Sequence, residues 1–201
     1  MASEVGIVNS AGIKIGAKQR IISFEDGTPL ANLGADRYHE IRDELLRGHP
    51  WNFAEDRAKL ARSSETPEFK YAYKYALPTG WMRTVAVYDN DAGVGWVDYK
   101  EEKGFILSNA EDIYLVFVFQ VTDPNLMTPD FRECIAMQLA SEGAIPIVQS
   151  KSLSEKWEKR FDKQLIKAKS NDSQGDKPDR RPDGSWTSRR FRSSGFSNWG
   201  S

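Results

Sequence analysis

Sulfur chemistry is almost missing from this sequence. Cys134 is the only cysteine, which excludes an internal disulfide and fits a reducing compartment. Histidine is nearly as scarce. His39 and His49 stand ten positions apart, a spacing that matches no metal-ligand pattern, and Cys134 is remote from both. No apolar run approaches the roughly 18 residues of a membrane span, so no membrane partner is expected. Met1–Val5 carries no basic region ahead of a long apolar stretch, so no secretory signal is expected either. An excess of one charge is also lacking: 28 Lys and Arg face 29 Asp and Glu, for a net −1. That balance argues against a strong attraction of the whole chain to nucleic acid or anionic lipid. Phosphate-loop and dinucleotide glycine orders are missing, as are the GxSxG and HExxH signatures. The expectation is a protein that is not an enzyme and holds no cofactor or metal.

What is present suits a folded domain. A chain of 201 residues can bury a real core, and 39% hydrophobic with 28% charged residues is ordinary for a globular protein. Ser3 caps a helix over about 3–17 in which Val5, Val8, Gly12 and Ile15 recur at helical spacing. Ile21–Phe24 reads as extended, and Glu25-Asp26-Gly27 as a turn. Thr28-Pro29 starts a second helix over about 28–47: the hydroxyl caps, and proline at the first position loses no hydrogen bond. Leu30, Tyr38, Ile41 and Leu45 share its face, Gly34 weakens it by about 1 kcal/mol relative to alanine, and Gly48 and Pro50 stop it. Residues 51–61 fit either a helix or a strand, and the extended reading is preferred.

Residues 68–121 read as an antiparallel meander. Phe69, Tyr71, Tyr73, Tyr75 and Leu77 alternate with Lys70, Ala72, Lys74 and Ala76, the pattern of a half-buried strand. Met82–Tyr88 and Val94–Tyr99 follow as a hairpin about Asp89–Gly93, then Phe105–Leu107 and Ile113–Val121. The last is apolar on both faces and is predicted to be central and covered on both sides. Thr128-Pro129 repeats the helix start for about 128–146, with Phe131, Ile135, Leu139 and Glu142 on one stripe and Pro146 ending or kinking it. Ser152 and Glu155 read as a capping box for a helix over about 152–169, with Leu153, Trp157, Phe161 and Leu165 as its seam and Lys and Arg on its wet face. The fold class is therefore α+β, with residues 1–169 as the folded domain and 170–201 as a C-terminal arm.

Candidate chemical residues have plain structural readings. His39 fits a helix surface, His49 a helix exit, and Cys134 a small core residue with no base placed near it. Asp89–Gly93 has the first beats of a calcium loop but lacks the later ligands and the closing Glu, so a turn explains it better. The pairs Glu101-Glu102 and Glu111-Asp112 read as solvated charges in polar loops.

The arm is different. Residues 170–201 are Ser, Gly, Asp, Arg and Pro without a period, which reads as disordered in isolation. Yet Trp186, Phe191, Phe196 and Trp199 are set in it beside Arg189, Arg190 and Arg192. Aromatic anchors with Arg at their rim suit docking onto a protein. Stacking on bases is the alternative, but Asp172, Asp176, Asp179 and Asp183 would repel phosphate, so a protein partner is favoured.

The order of several motifs resembles the tail tubular protein A family, the head-to-tail adaptors of short-tailed phages. Ile21-Ile22-Ser23-Phe24-Glu25-Asp26-Gly27 is followed by Arg42-Asp43-Glu44-Leu45-Leu46 and His49-Pro50-Trp51-Asn52-Phe53-Ala54. Tyr73-Lys74-Tyr75-Ala76-Leu77-Pro78, Val121-Thr122-Asp123-Pro124 and the Phe131–Pro146 helix with Leu139-Ala140 come next, so the resemblance covers roughly residues 5–168. It implies a structural virion protein: a wedge, built as a helical bundle carrying a β-sheet domain, in a ring of about twelve copies under the portal protein. A tail nozzle resembling tail tubular protein B would dock beneath. Genomic DNA would pass through the lumen without sequence-specific binding, and the ring would help retain it. The implied location is the head–tail junction of a virion assembled in the host cytoplasm. The arm, through Trp186, Arg189, Arg190, Phe191, Arg192, Phe196 and Trp199, is implied to clasp the portal. The competing class is a nucleic-acid-binding packaging accessory protein acting through the same basic aromatic tail. No constellation supports a third class, a tail-associated hydrolase.

Overall fold

The computed structural model describes residues 2–95 and 97–175. The arm residues from Asp176 onward, including all seven proposed portal contacts, lie outside the described residues. The fold is α+β: helices packed on one face of a three-stranded antiparallel sheet, whose other face carries a second three-stranded antiparallel sheet.

Both Thr-Pro helix starts act as their chemistry requires. The Thr28 hydroxyl accepts from Ala31 N at the head of α1's successor, α2 (Pro29–Arg47), while α1 itself is Glu4–Ile15 with Ser3 as its cap. Thr128 caps α3 (Pro129–Val148) in the same way, accepting from Phe131 N. Leu30, Tyr38, Ile41 and Leu45 of α2 are buried together with Ile7, Val8, Ala11 and Ile15 of α1. Gly34 does more than weaken α2. A Cβ there would stand 2.9 Å from the Phe24 ring and 3.1 Å from Val8, so its absence lets α1 and the 21–27 loop press against the helix. That loop holds no strand: Asp26 turns back to accept from Ile22 N and Ser23 N, and Ile22 is exposed.

Helix α3 is the hub. Phe131, Cys134, Ile135, Leu139 and Ala140 are fully buried because α1, α2 and α4 (Lys151–Ser173) all pack on it. Each such large side chain contributes on the order of 1.5–3 kcal/mol of burial. Glu142, placed by sequence on the apolar stripe, instead receives the Arg37 guanidinium from α2, with Nε to Oε2 at 2.7 Å. The helix runs two residues past Pro146 and closes at Gln149, whose φ of 53° turns the chain sharply. This moves the next cap. Ser150, not Ser152, accepts from Leu153 N, and α4 begins at Lys151; the Ser152–Glu155 capping box does not form. At the far end α4 runs to Ser173, past the change in composition.

The β region departs most from the sequence reading. The strands are β1 (Glu55–Lys59), β2 (Tyr73–Ala76), β3 (Trp81–Tyr88), β4 (Tyr99–Glu102), β5 (Phe105–Ser108) and β6 (Tyr114–Phe119). They form two sheets ordered β1-β6-β3 and β2-β5-β4, not one meander. The extended reading of 51–61 holds for β1, after a short 3₁₀ turn at Asn52–Ala54. The aromatic run is extended only over Tyr73–Ala76. Lys70 takes φ 71°, which breaks the alternation, and Phe69 is 80% exposed. Asp89–Gly93 is a turn, but the chain beyond it crosses to the second sheet, and the strand begins at Tyr99 rather than Val94. The true hairpin lies between β4 and β5, where Lys103 and Gly104 both take positive φ, the requirement of a two-residue turn matched to strand twist. Strand β6 is central, as its doubly apolar sequence predicts. Leu115 and Phe117 join the core between the sheets, while Val118 joins the helical core.

Candidate functional site

The C-terminal end of α4, the last element of the described residues, is held in place by side chains from two other segments, His49–Asn52 and the start of α3. The Asp172 carboxylate is only 6% exposed. Its Oδ2 lies 3.1 Å from Nε2 of His49, and Asn52 N donates to both of its oxygens at 3.2–3.3 Å. Asn52 Nδ2 returns the contact by donating to the Asp172 carbonyl at 2.7 Å. On the neighbouring side Asp130, in the first turn of α3, accepts from Gln164 Nε2 at 3.0 Å and Asn171 Nδ2 at 2.8 Å.

The sequence builds this clasp through the His49–Ala54 segment. Pro50 follows the end of α2 and turns the chain, and Trp51 is fully buried with Nε1 donating to Leu45 O at 2.8 Å. Its ring meets Phe131 edge-on at 5.1 Å and His49 at 4.7 Å. Packing of one indole thus sets the histidine that receives Asp172. His49 was legible as a helix exit, but its partner lies 123 positions away. Asp172 read as one of the tail's acidic residues, whereas it belongs to the folded body.

A second junction joins helices to sheet. Arg42 is buried, with Nε donating to Asp43 Oδ1 at 2.7 Å, and Asp43 Oδ2 accepts from Gln120 Nε2 at 2.8 Å beyond the end of β6. Arg83 of β3 donates to Arg47 O. Of these, Arg42 and Asp43 belong to the motifs that carry the family resemblance, as do His49, Trp51, Asn52 and Phe131, whereas Arg47, Arg83 and Gln120 lie outside them.

The remaining candidates separate cleanly. Cys134 is buried in α3, and burial pushes its thiol up to about 12, with the Asp130 and Glu133 carboxylates acting in the same direction. His39 is on the surface of α2, with Nδ1 3.2 Å from Arg42 Nη1. Asn90 organises the 89–94 turn: its side chain donates to Val94 O and accepts from Val94 N. Glu101 and Glu102 stand on the exposed strand β4 rather than in a loop, and Asp112 pairs with Lys59 at 2.8 Å. Among the described residues no group of His, Cys, Asp and Glu could hold a metal ion. No helix among them is long and apolar enough to cross a membrane.

Two surfaces stand out from the rest. One is a cleft of about 430 Å³ beside β4 and β5, where Phe69 is exposed near Lys70, Lys74, Lys100 and Lys103 as well as Glu65, Glu68 and Glu102. The other is the outward face of α4, where Lys156, Lys159, Arg160, Lys163 and Lys167 are all exposed. No family model matches the chain, and no curated protein matches it.

Proposed function

We propose that this chain is a structural head-to-tail adaptor of a short-tailed phage virion, one wedge of a ring of about twelve copies between the portal and the tail nozzle. The observation that carries the reading is the series of six motifs, in the family's order, along a chain that folds as helices bearing antiparallel sheets. That architecture supports the wedge reading that the resemblance implies. A closed ring needs two different contact faces on each subunit, and the body offers its helices on one side and an outer sheet on the other. The clasped end of α4 supports the role given to the arm, since a tether reaching a partner works best from a fixed origin. Residues 176–201, at about 3.3 Å each, span up to roughly 85 Å when extended. Trp186, Phe191, Phe196 and Trp199 are the anchors in this reading, and Arg189, Arg190 and Arg192 pair with acidic groups of the portal.

The test is deletion of residues 176–201, which spares the Asp172 clasp. The melting temperature should stay within about 2 °C, since a 1 kcal/mol change would move a domain of this size by roughly 2–4 °C. Portal attachment should be lost, and particles should lose DNA or fail to gain tails. Normal tail attachment by the truncated chain would contradict the arm's role. The alternative, a packaging accessory protein that binds nucleic acid through the tail arginines, predicts that the same deletion abolishes DNA binding and leaves portal attachment intact.

A further inference from the structure

The exposed face of α4 segregates charge by sign. At about 100° per residue, Lys156, Arg160, Lys163 and Lys167 fall within roughly 60° of one another around the helix, and Lys159 flanks them. The helix's own acids, Glu155, Glu158 and Asp162, fall on the adjacent face by the same geometry. None of the five cations stands within ion-pair distance of a carboxylate among the described residues. Of the α3 acids, Asp130 accepts from the neutral amides of Gln164 and Asn171 rather than pairing with a cation of the row, and Glu133 pairs with Lys14 at 2.8 Å. Lys156 and Arg160 lie over the Trp157 ring, which braces that end of the row against the helix.

A solvated helix face in a chain of net charge −1 gains most by interleaving its signs, because like charges at i,i+4 destabilise and opposite ones help. Here Lys156–Arg160, Lys159–Lys163 and Lys163–Lys167 are all like pairs at that spacing. The row has the length and charge density of a nucleic-acid strand. From Lys156 to Lys167 the helix rises about 16 Å. One strand of duplex DNA presents a phosphate every 3.4 Å or so along its axis, so about five phosphates face that length. We propose that the Lys156–Lys167 face of α4 is a sequence-independent contact surface for the phosphate backbone of duplex DNA. Its biological setting rests on the adaptor reading, in which the genome passes through the ring, but the contact belongs to the single chain and does not require the ring.

The proposal is tested on the isolated full chain with a fluorescently labelled duplex of arbitrary sequence, by anisotropy across a salt series. With four or five phosphate contacts at about 0.9 each, the slope of log K against log salt should be about −4. The variant Lys156→Gln/Arg160→Gln/Lys163→Gln/Lys167→Gln should bind at least tenfold more weakly at about 0.1 M salt and lose most of that slope. The variant Lys156→Arg/Lys163→Arg/Lys167→Arg should bind like wild type, and so should Arg189→Gln/Arg190→Gln/Arg192→Gln. Wild-type binding by the four-glutamine variant would overturn the proposal, and so would loss of binding in the arm variant alone. Stripe-dependent binding of labelled poly-L-glutamate without binding of the duplex would overturn it in favour of an acidic protein partner. A portal-attachment assay on the four-glutamine variant keeps the two readings apart. Retained attachment with lost DNA binding supports the proposal; DNA binding that persists with attachment lost places the stripe on the portal and overturns it.

Discussion

The helical body and the outer sheet differ in how they are held together. The body closes around α3, with Trp51, Phe131, Ile135 and Leu139 inaccessible to solvent and ion pairs such as Lys14–Glu133 and Arg37–Glu142 joining helix to helix. The outer sheet β2-β5-β4 has one buried face, centred on Tyr75 and Ile106, while β4 is exposed along its whole length. A sheet of three short strands depends for its stability on its one packed apolar face, and here the edge strand β4 adds no buried residue. The body is therefore the cooperative unit, and the outer sheet is the part that can yield locally. In the adaptor reading this places the rigid element beside the arm's root and the adaptable one away from it.

Phe131→Ala should have the largest effect. It removes the ring on which Trp51 and Phe53 pack, at a cost of about 3–5 kcal/mol, and urea denaturation should show the whole chain unfolding early. Ile106→Ala should cost somewhat less, about 2–4 kcal/mol, and its signature should be local. Hydrogen exchange should accelerate in β2, β4 and β5 while α1 and α3 amides stay protected; acceleration spread evenly over both regions would break the comparison. Asp172→Ala should cost about 1–2 kcal/mol through lost charge-assisted hydrogen bonds, seen as faster exchange over the last two turns of α4. Tyr38→Phe should go the other way. The Tyr38 hydroxyl is buried without a hydrogen-bond partner among the described residues, and burial holds its pKa above the ordinary phenol range. Its removal should leave stability unchanged or raise it by about 1 kcal/mol. Cys134 should show the least response. With its thiol pushed up to about 12, it should not react with a thiol reagent at pH 8 until the chain is denatured.

The body was the more legible region, for local reasons. Thr-Pro fixes a helix start within four residues, and a stripe such as Leu30, Tyr38, Ile41 and Leu45 declares the buried face without knowledge of what covers it. Strand β6 declared its central place because Leu115, Phe117 and Val118 leave neither face polar. Pairing was hidden. Alternation places Tyr73 and Tyr75 in a strand but does not say that β5 rather than β3 lies beside it, and the break at Lys70 is a backbone angle that no side-chain pattern records. The cap at Ser150 was obscured by a second serine two residues on. The Asp172 clasp joins residues more than a hundred positions apart, and neither His49 nor Asp172 carries a local sign of the other. The α4 row reads in the sequence as a wet face, and nothing local records that its cations have no carboxylate within ion-pair distance among the described residues.

The most direct test of the adaptor reading is native mass spectrometry of the purified chain mixed with its cognate portal. Ring contacts between small wedges can be weak until a template raises their effective concentration, so the chain alone can be monomeric without bearing on the outcome. The account predicts a complex in which each portal oligomer carries a full ring of about twelve copies, lost when residues 176–201 are removed. A single copy per portal oligomer, or no complex at any concentration, would contradict it.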